Sequence, residues 1–211
     1  MNRSGFRPRL VWSAIILAFV LWFVTFYLEG LNFWIKIAFS ATTLAALSAR
    51  VNTLRANKLL FDRLAVFQGI IAAVVLYLVF WAGKIVSSCI FPFASQQVSA
   101  IYGKGAGFSS LTIFFILLFL TGPCEEIFWR GFLQRNLMSR YGEYPGWLLA
   151  TMIYTGVHIW SFNFMLIGAA AVAGSFWGLL YMKLKRLDSI IICHSLWSAF
   201  IFAVVPLRIS S

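Results

Sequence analysis

Glu125 and Glu126 stand side by side at the end of a long apolar run, Leu111 to Cys124, in a chain with only six acidic residues. Arg130 follows four residues after Glu126, in the segment GPCEEIFWRGFLQ. The chain has two histidines, His158 and His194, and both lie in apolar segments. An ionised carboxylate among hydrocarbon side chains is costly unless it is paired, protonated or at work, so these acids and imidazoles mark a functional site. Adjacent helical residues point about 100° apart, so Glu125 and Glu126 do not act as one proton-sharing dyad. Glu126 and Arg130, at i and i+4, share a face and form an ion pair. Glu125 is then left without a local partner and free to meet His158 from another helix. His194 and Ser198, again at i and i+4, present two hydrogen-bond donors on one helix face, a spacing suited to an oxyanion.

These residues need a scaffold, and the composition supplies it. The 211 residues are 62% hydrophobic, 18% aromatic and 11% charged, with nine Trp. This is the composition of an all-α, polytopic membrane protein, with aromatic residues suited to the lipid–water interface. The net charge of +11 does not indicate a nucleic-acid partner, because the basic residues fall in short clusters between apolar runs. Cys89, Cys124 and Cys193 have no metal-type spacing and read as packing residues.

Apolar runs of about 20 residues mark transmembrane helices. Helices are expected near 10–28, 31–49, 64–84, 109–137, 145–160, 164–182 and 189–206, about seven spans in all. The first apolar stretch follows Arg3, Arg7 and Arg9 and reads as an uncleaved span. The fourth exceeds a bilayer's thickness, so its last turns are expected to emerge as an amphipathic continuation carrying Arg130, Arg135 and Arg140. Residues 91–110 read as the one sizeable external loop. With this partition thirteen of the seventeen basic residues fall on one side, which assigns a cytoplasmic N-terminus. Lys36, Lys84, Lys104 and Arg208 are left to the other side or the membrane. Residues 1–108 are expected to form helices one to three and the external loop, and residues 109–211 the catalytic core.

Helical rise sets the depth of each polar group. From the cytoplasmic helix ends, Glu125 lies ~18 Å deep, His158 ~20 Å, His194 ~12 Å and Ser198 ~18 Å at 1.5 Å per residue. Three helices thus bring their polar side chains to one level near the middle of the bilayer.

The constellation EEIFWR, YTGVH and HSLWS resembles the CAAX prenyl endopeptidase and bacteriocin-processing family of intramembrane glutamate proteases, across residues 109–206. That family carries EExxxR, then FxxxH, then HxxxN on successive helices. Here Glu125 to Arg130 match the first motif, Tyr154 replaces Phe in the second, and Ser198 replaces Asn in the third. The resemblance implies that Glu125 and His158 activate a water against a peptide carbonyl, while His194 and the fourth position, here Ser198, stabilise the oxyanion. Glu126, Arg130 and Tyr154 support them. It also implies an endopeptidase in a prokaryotic cytoplasmic membrane, acting on a peptide or protein near its C-terminal or membrane-proximal segment, with no cofactor. Relatives of this kind serve in bacteriocin maturation, in self-immunity or in removal of sorting segments. Two other readings stay open. In one, Glu125, His158 and His194 ligate Zn²⁺ with an open water position, although there is no HExxH. In the other, a non-catalytic scaffold or proton-coupled transporter uses the same acids as a relay, although neither internal repeats nor matching broken helices are present.

Overall fold

The computed structural model describes residues 7–50, 57, 59–105 and 107–208. Arg3, Arg55 and Lys58, three of the basic residues that set the charge asymmetry, lie outside the described residues. The described chain is all-helical. Five helices are long and apolar enough to cross a membrane: α1 (Pro8–Phe26), α3 (Arg63–Ile90), α5 (Ser110–Tyr141), α7 (Phe164–Leu184) and α8 (Leu187–Val204). Among the described residues three shorter helices join them: α2 (Phe33–Ala49), α4 (Ala94–Gly103) and α6 (Glu143–Val157).

Most boundaries follow from local chemistry. Asn32, Asp62, Ser109 and Asn163 each precede a helix, and each side chain accepts a hydrogen bond from a first-turn amide. These are the residue types that satisfy the orphan N–H groups of a helix start. Gly142, at φ 95°, makes the turn between α5 and α6, a conformation that glycine alone adopts without strain.

The helices differ in how they meet lipid. Of its most apolar window, α8 buries 67% and α3 only 22%, so α8 is the central helix and α3 a peripheral one. α3 packs along α8 and turns Phe67, Val74, Leu78 and Trp81 outward. α6 packs against α7 and the end of α5, and α8 lies against the middle of α5.

Two features differ from the sequence expectation. Residues 94–103 form α4 rather than loop. This helix is too short to span, but Val98, Ile101 and Tyr102, at helical spacing, give it an apolar face that lines an internal cavity. The second concerns Arg130, expected on a helix end emerging from the bundle. It is 2% exposed and sits in the core, because its charge is matched there; only the later turns carry solvent-facing cations.

α5 is not a regular α-helix. It is π-helical at Leu117–Thr121 and Ile127–Gln134. Pro123 accounts for the first of these, because it lacks an N–H and its ring crowds the carbonyl four residues back. A local π-bulge relieves that conflict, and such bulges recur at functional sites. The Glu125–Glu126 pair lies between the two π segments.

Candidate active site

The site begins with Glu126, which is fully buried on α5. Its Oε1 accepts Arg130 Nη1 at 2.8 Å, the expected i, i+4 pair. The same oxygen meets His194 Nδ1 from α8 at 2.5 Å. One carboxylate thus gathers a guanidinium from its own helix and an imidazole from the central one. Arg130 Nη2 donates to the Gly174 carbonyl on α7 at 3.2 Å, and Gln134, one turn on, donates to the Gly178 carbonyl at 2.8 Å. Polar side chains at 126, 130 and 134 therefore lock α5 to α7 and α8 as a stripe.

Aromatic rings enclose these charges. The Arg130 guanidinium lies 4.7 Å from the Tyr154 ring centre and 5.3 Å from that of Trp177. Cations attract ring faces, more strongly where water is excluded. The His194 imidazole stacks on Trp177, with centroids 3.8 Å apart and planes 15° from parallel. Gly174 lets α7 approach α6 closely enough to bring the Tyr154 ring to the guanidinium: a Cβ there would come 2.7 Å from Tyr154 Cδ1.

His158 begins the 3₁₀ turn that ends α6. Its Nδ1 lies 2.7 Å from the Tyr154 carbonyl oxygen. A carbonyl only accepts, so Nδ1 carries the proton and Nε2 presents its lone pair. Trp22 Nε1–H of α1 points at Nε2 from 3.4 Å, a long contact that fits this tautomer. Phe26 and Tyr154 complete an aromatic box around the ring.

Glu125 turns away from Glu126 and lines a cavity of about 450 Å³ with Thr121, Tyr154, His158, His194 and Ser198. This volume falls in the usual range for small-ligand sites. Tyr154 stands between the two halves of the site: it lines the cavity with Glu125, and its ring lies 5.0 Å from the His158 ring. Among the described residues Glu125 and His158 share no direct hydrogen bond. Ser198 is buried on the same face of α8 as His194, one turn on, and borders the cavity. Among the described residues, no three His, Cys, Asp or Glu side chains stand together as a metal-holding group.

All seven singled-out residues thus lie in or against one region. Three partners were not anticipated. Gln134 was legible, since it continues the 126–130 stripe at helical spacing. Trp22 and Trp177 were not, because one Trp among nine carries no mark of its neighbour.

Residues 107–200 match the family model described as type II CAAX prenyl endopeptidase Rce1-like. The matched segment contains every site residue from Glu125 to Ser198. No curated protein and no solved structure matches the chain. The family match agrees with the motif resemblance: this segment is similar to membrane endopeptidases of the CAAX type, and the helices apolar enough to cross a membrane support a multi-pass integral membrane protein.

Proposed function

We propose that the protein is a glutamate-type intramembrane endopeptidase in which Glu125 and His158 activate a water molecule for attack on a peptide carbonyl. The observation that carries this reading is the shared cavity: a buried carboxylate and an imidazole whose unprotonated Nε2 is met only by the long 3.4 Å contact from Trp22 border the same volume. A water between them gives its proton to the Glu125–His158 side and its oxygen to the carbonyl carbon, and the same proton later passes to the leaving amine. Tyr154 borders the cavity beside both groups. Charge then develops on the carbonyl oxygen, where Ser198 O–H and His194 can meet it. With Nδ1 bound to Glu126, His194 offers a donor at Nε2 when the ring carries both protons. Ser reaches less far than Asn, so the oxyanion is drawn toward α8.

The reading also includes a cytoplasmic N-terminus in a prokaryotic cytoplasmic membrane, cleavage near the C-terminal or membrane-proximal part of a peptide, and chemistry without a resident metal. In reconstituted membranes, Glu125→Gln is expected to abolish cleavage of membrane peptides, read by mass spectrometry, at unchanged expression and folding. Activity is expected to survive exhaustive chelation. Undiminished processing by Glu125→Gln would refute the assignment, and loss of activity on chelation with recovery by Zn²⁺ would replace it with the metal-dependent reading.

A further inference from the structure

The cavity that holds the hydrolytic pair reaches one end of the bundle and stops short of the other. α3 lines it only from Val79 onward, and α8 only from His194 onward. α5 lines it as far as Glu125 and, among the described residues, with none beyond. α7 lines it from Phe164 to Trp177 and leaves it over its last turns. α1 and α2 enter it near their connection, through Phe26 and Phe33. α4 lies across that same end. Asn163 Nδ2 donates to the Gln97 carbonyl at 2.9 Å, the Met165 amide donates to Gln97 Oε1 at 3.0 Å, and the Tyr102 hydroxyl accepts the Leu207 amide at 2.9 Å. Val98 of α4 borders the cavity.

Beyond Glu125 the bundle is closed. Phe128, Leu133 and Leu137 of α5 and Leu187 and Ile190 of α8 are at most 2% exposed. α6 meets α5 so closely that a Cβ on Gly146 would collide with the Met138 backbone. A Cβ on Gly69 of α3 would come 2.6 Å from the Ile192 side chain of α8. Arg130 and Gln134 bond across the same layer to carbonyls of α7, and Asp188 accepts the Leu60 and Phe61 amides. Interiors packed this way leave few voids larger than a water molecule, so no path for a peptide runs through this half.

The closed end carries Arg9 at the start of α1, Arg50 after α2, Arg140 at the end of α5, Lys183 and Lys185 at the end of α7, and Arg186 before α8. Cations gather on the cytoplasmic side of membrane proteins. With the proposed orientation the closed end therefore faces the cytoplasm and the open end faces out. Glu125 stands fifteen residues after Ser110, where α5 starts at the open end. That is about 22 Å of helical rise, which an extended peptide covers in about seven residues.

Resting on the proteolytic reading and its orientation, we propose that the hydrolytic site is entered from the outer face of the membrane, so that its substrates are peptide segments already carried across the bilayer. A translocation step must then supply each substrate. The reach from the surface requires the segment to be extended over about seven residues, and the apolar and aromatic wall suits apolar side chains along it. A peptide arriving from the cytoplasm would have to part α5 from α6, or α3 from α8, where the glycine contacts leave no space.

The test uses spheroplasts expressing the full chain with Cys89→Ser, which removes its exposed native thiol. The probes are a bulky impermeant maleimide and quenched apolar peptides with charged ends, which do not cross the bilayer. The peptides have about twelve residues, more than the reach to Glu125 requires. Intact spheroplasts are expected to cleave added peptide at the rate of lysed ones, and Glu125→Gln spheroplasts not at all. Val98→Cys should react with the maleimide from outside and lose cleavage once labelled. Arg140→Cys should react only after lysis and keep its activity when labelled. In the Glu125→Gln background, excess peptide should slow the labelling of Val98→Cys, a reading that needs no turnover. Cleavage that appears only on lysis, labelling of Arg140→Cys in intact spheroplasts, or a Val98→Cys label that leaves cleavage unchanged overturns the proposal. So does peptide that leaves the labelling rate of Val98→Cys unaltered. Failure of the proteolytic reading appears separately, as cleavage that Glu125→Gln does not reduce in lysed membranes.

Discussion

Glu126→Gln isolates the charge of the network from its shape. Glutamine keeps the length of the side chain and a carbonyl oxygen where Glu126 Oε1 accepts Arg130 at 2.8 Å and His194 at 2.5 Å. Oε2 has no partner among the described residues, so exchanging it for an amide breaks no further contact. The negative charge is what disappears. Arg130, 2% exposed, is left with one carbonyl at 3.2 Å and two ring faces. Those contacts exist before and after the change and so do not enter the difference. A buried charge stripped of its partner costs about 3–5 kcal/mol. The assay is unfolding in mixed micelles followed by tryptophan fluorescence, since Trp177 and Trp129 are buried close to the network. The second arm is Glu126→Gln with Arg130→Met, which leaves no orphan charge. Replacing a whole buried pair is often neutral, so the double variant should recover at least about 2 kcal/mol of the loss. A Glu126→Gln protein within about 1 kcal/mol of wild type, or a double variant less stable than both singles, would refute the claim that Glu126 is the counter-charge of Arg130.

Two further substitutions test the scaffold. In Gly122→Ala a Cβ would come 2.5 Å from Ser195 Oγ and 2.8 Å from Ser195 Cα, so α5 and α8 must separate next to the Glu126–His194 contact. A loss of about 1–3 kcal/mol is expected from overpacking, with activity falling further than folded fraction, both read on the same purified sample. Asp188 accepts from the Leu60, Phe61 and Ser189 amides and from Arg186 through two nitrogens, and so ties the start of α8 to the start of α3. Asp188→Ala should cost at least about 2 kcal/mol by leaving those donors unpaired. His194 lies roughly 9 Å up the helix axis. Turnover per folded molecule should therefore be unchanged, as a titration of active protein against thermal stability would show.

The range of the forces involved decides how much of the molecule is legible in its sequence. Helix positions came from apolar run lengths, which are local, and the Glu126–Arg130 pair came from i, i+4 spacing on one helix. That the polar groups of three helices meet at one level was likewise legible, because rise per residue is fixed. Rotation about each helix axis was not. Nothing in the segment HSLWS told which glutamate His194 would face, and the spacing argument paired Glu126 with Arg130 alone. The π segments of α5 add to this, since each rotates the later turns of the helix by an amount the 100° step does not include. Helix α4 was missed for another reason: ten residues rich in Ser and Gln look like a loop until a cavity offers their apolar face a surface.

The two adjacent acids divide one problem between them. A carboxylate that must be reactive in an apolar bundle cannot also be the group that neutralises the bundle's structural cation, because a close guanidinium would occupy the lone pairs that have to take a proton. A second acid on the next residue resolves this, since the helical step turns it about 100° away from the first. Glu126 takes Arg130 and His194 and becomes part of the frame joining α5, α7 and α8. Glu125 is left to the cavity, which Tyr154 and His158 also line. Exchanging the roles would need one residue of helical rotation, which would swing Arg130 off Gly174 and the His194 ring off Trp177. The order of the pair is therefore held by contacts on two other helices, and the frame around Glu126 leaves Glu125 facing the cavity, as the proposed role in hydrolysis requires.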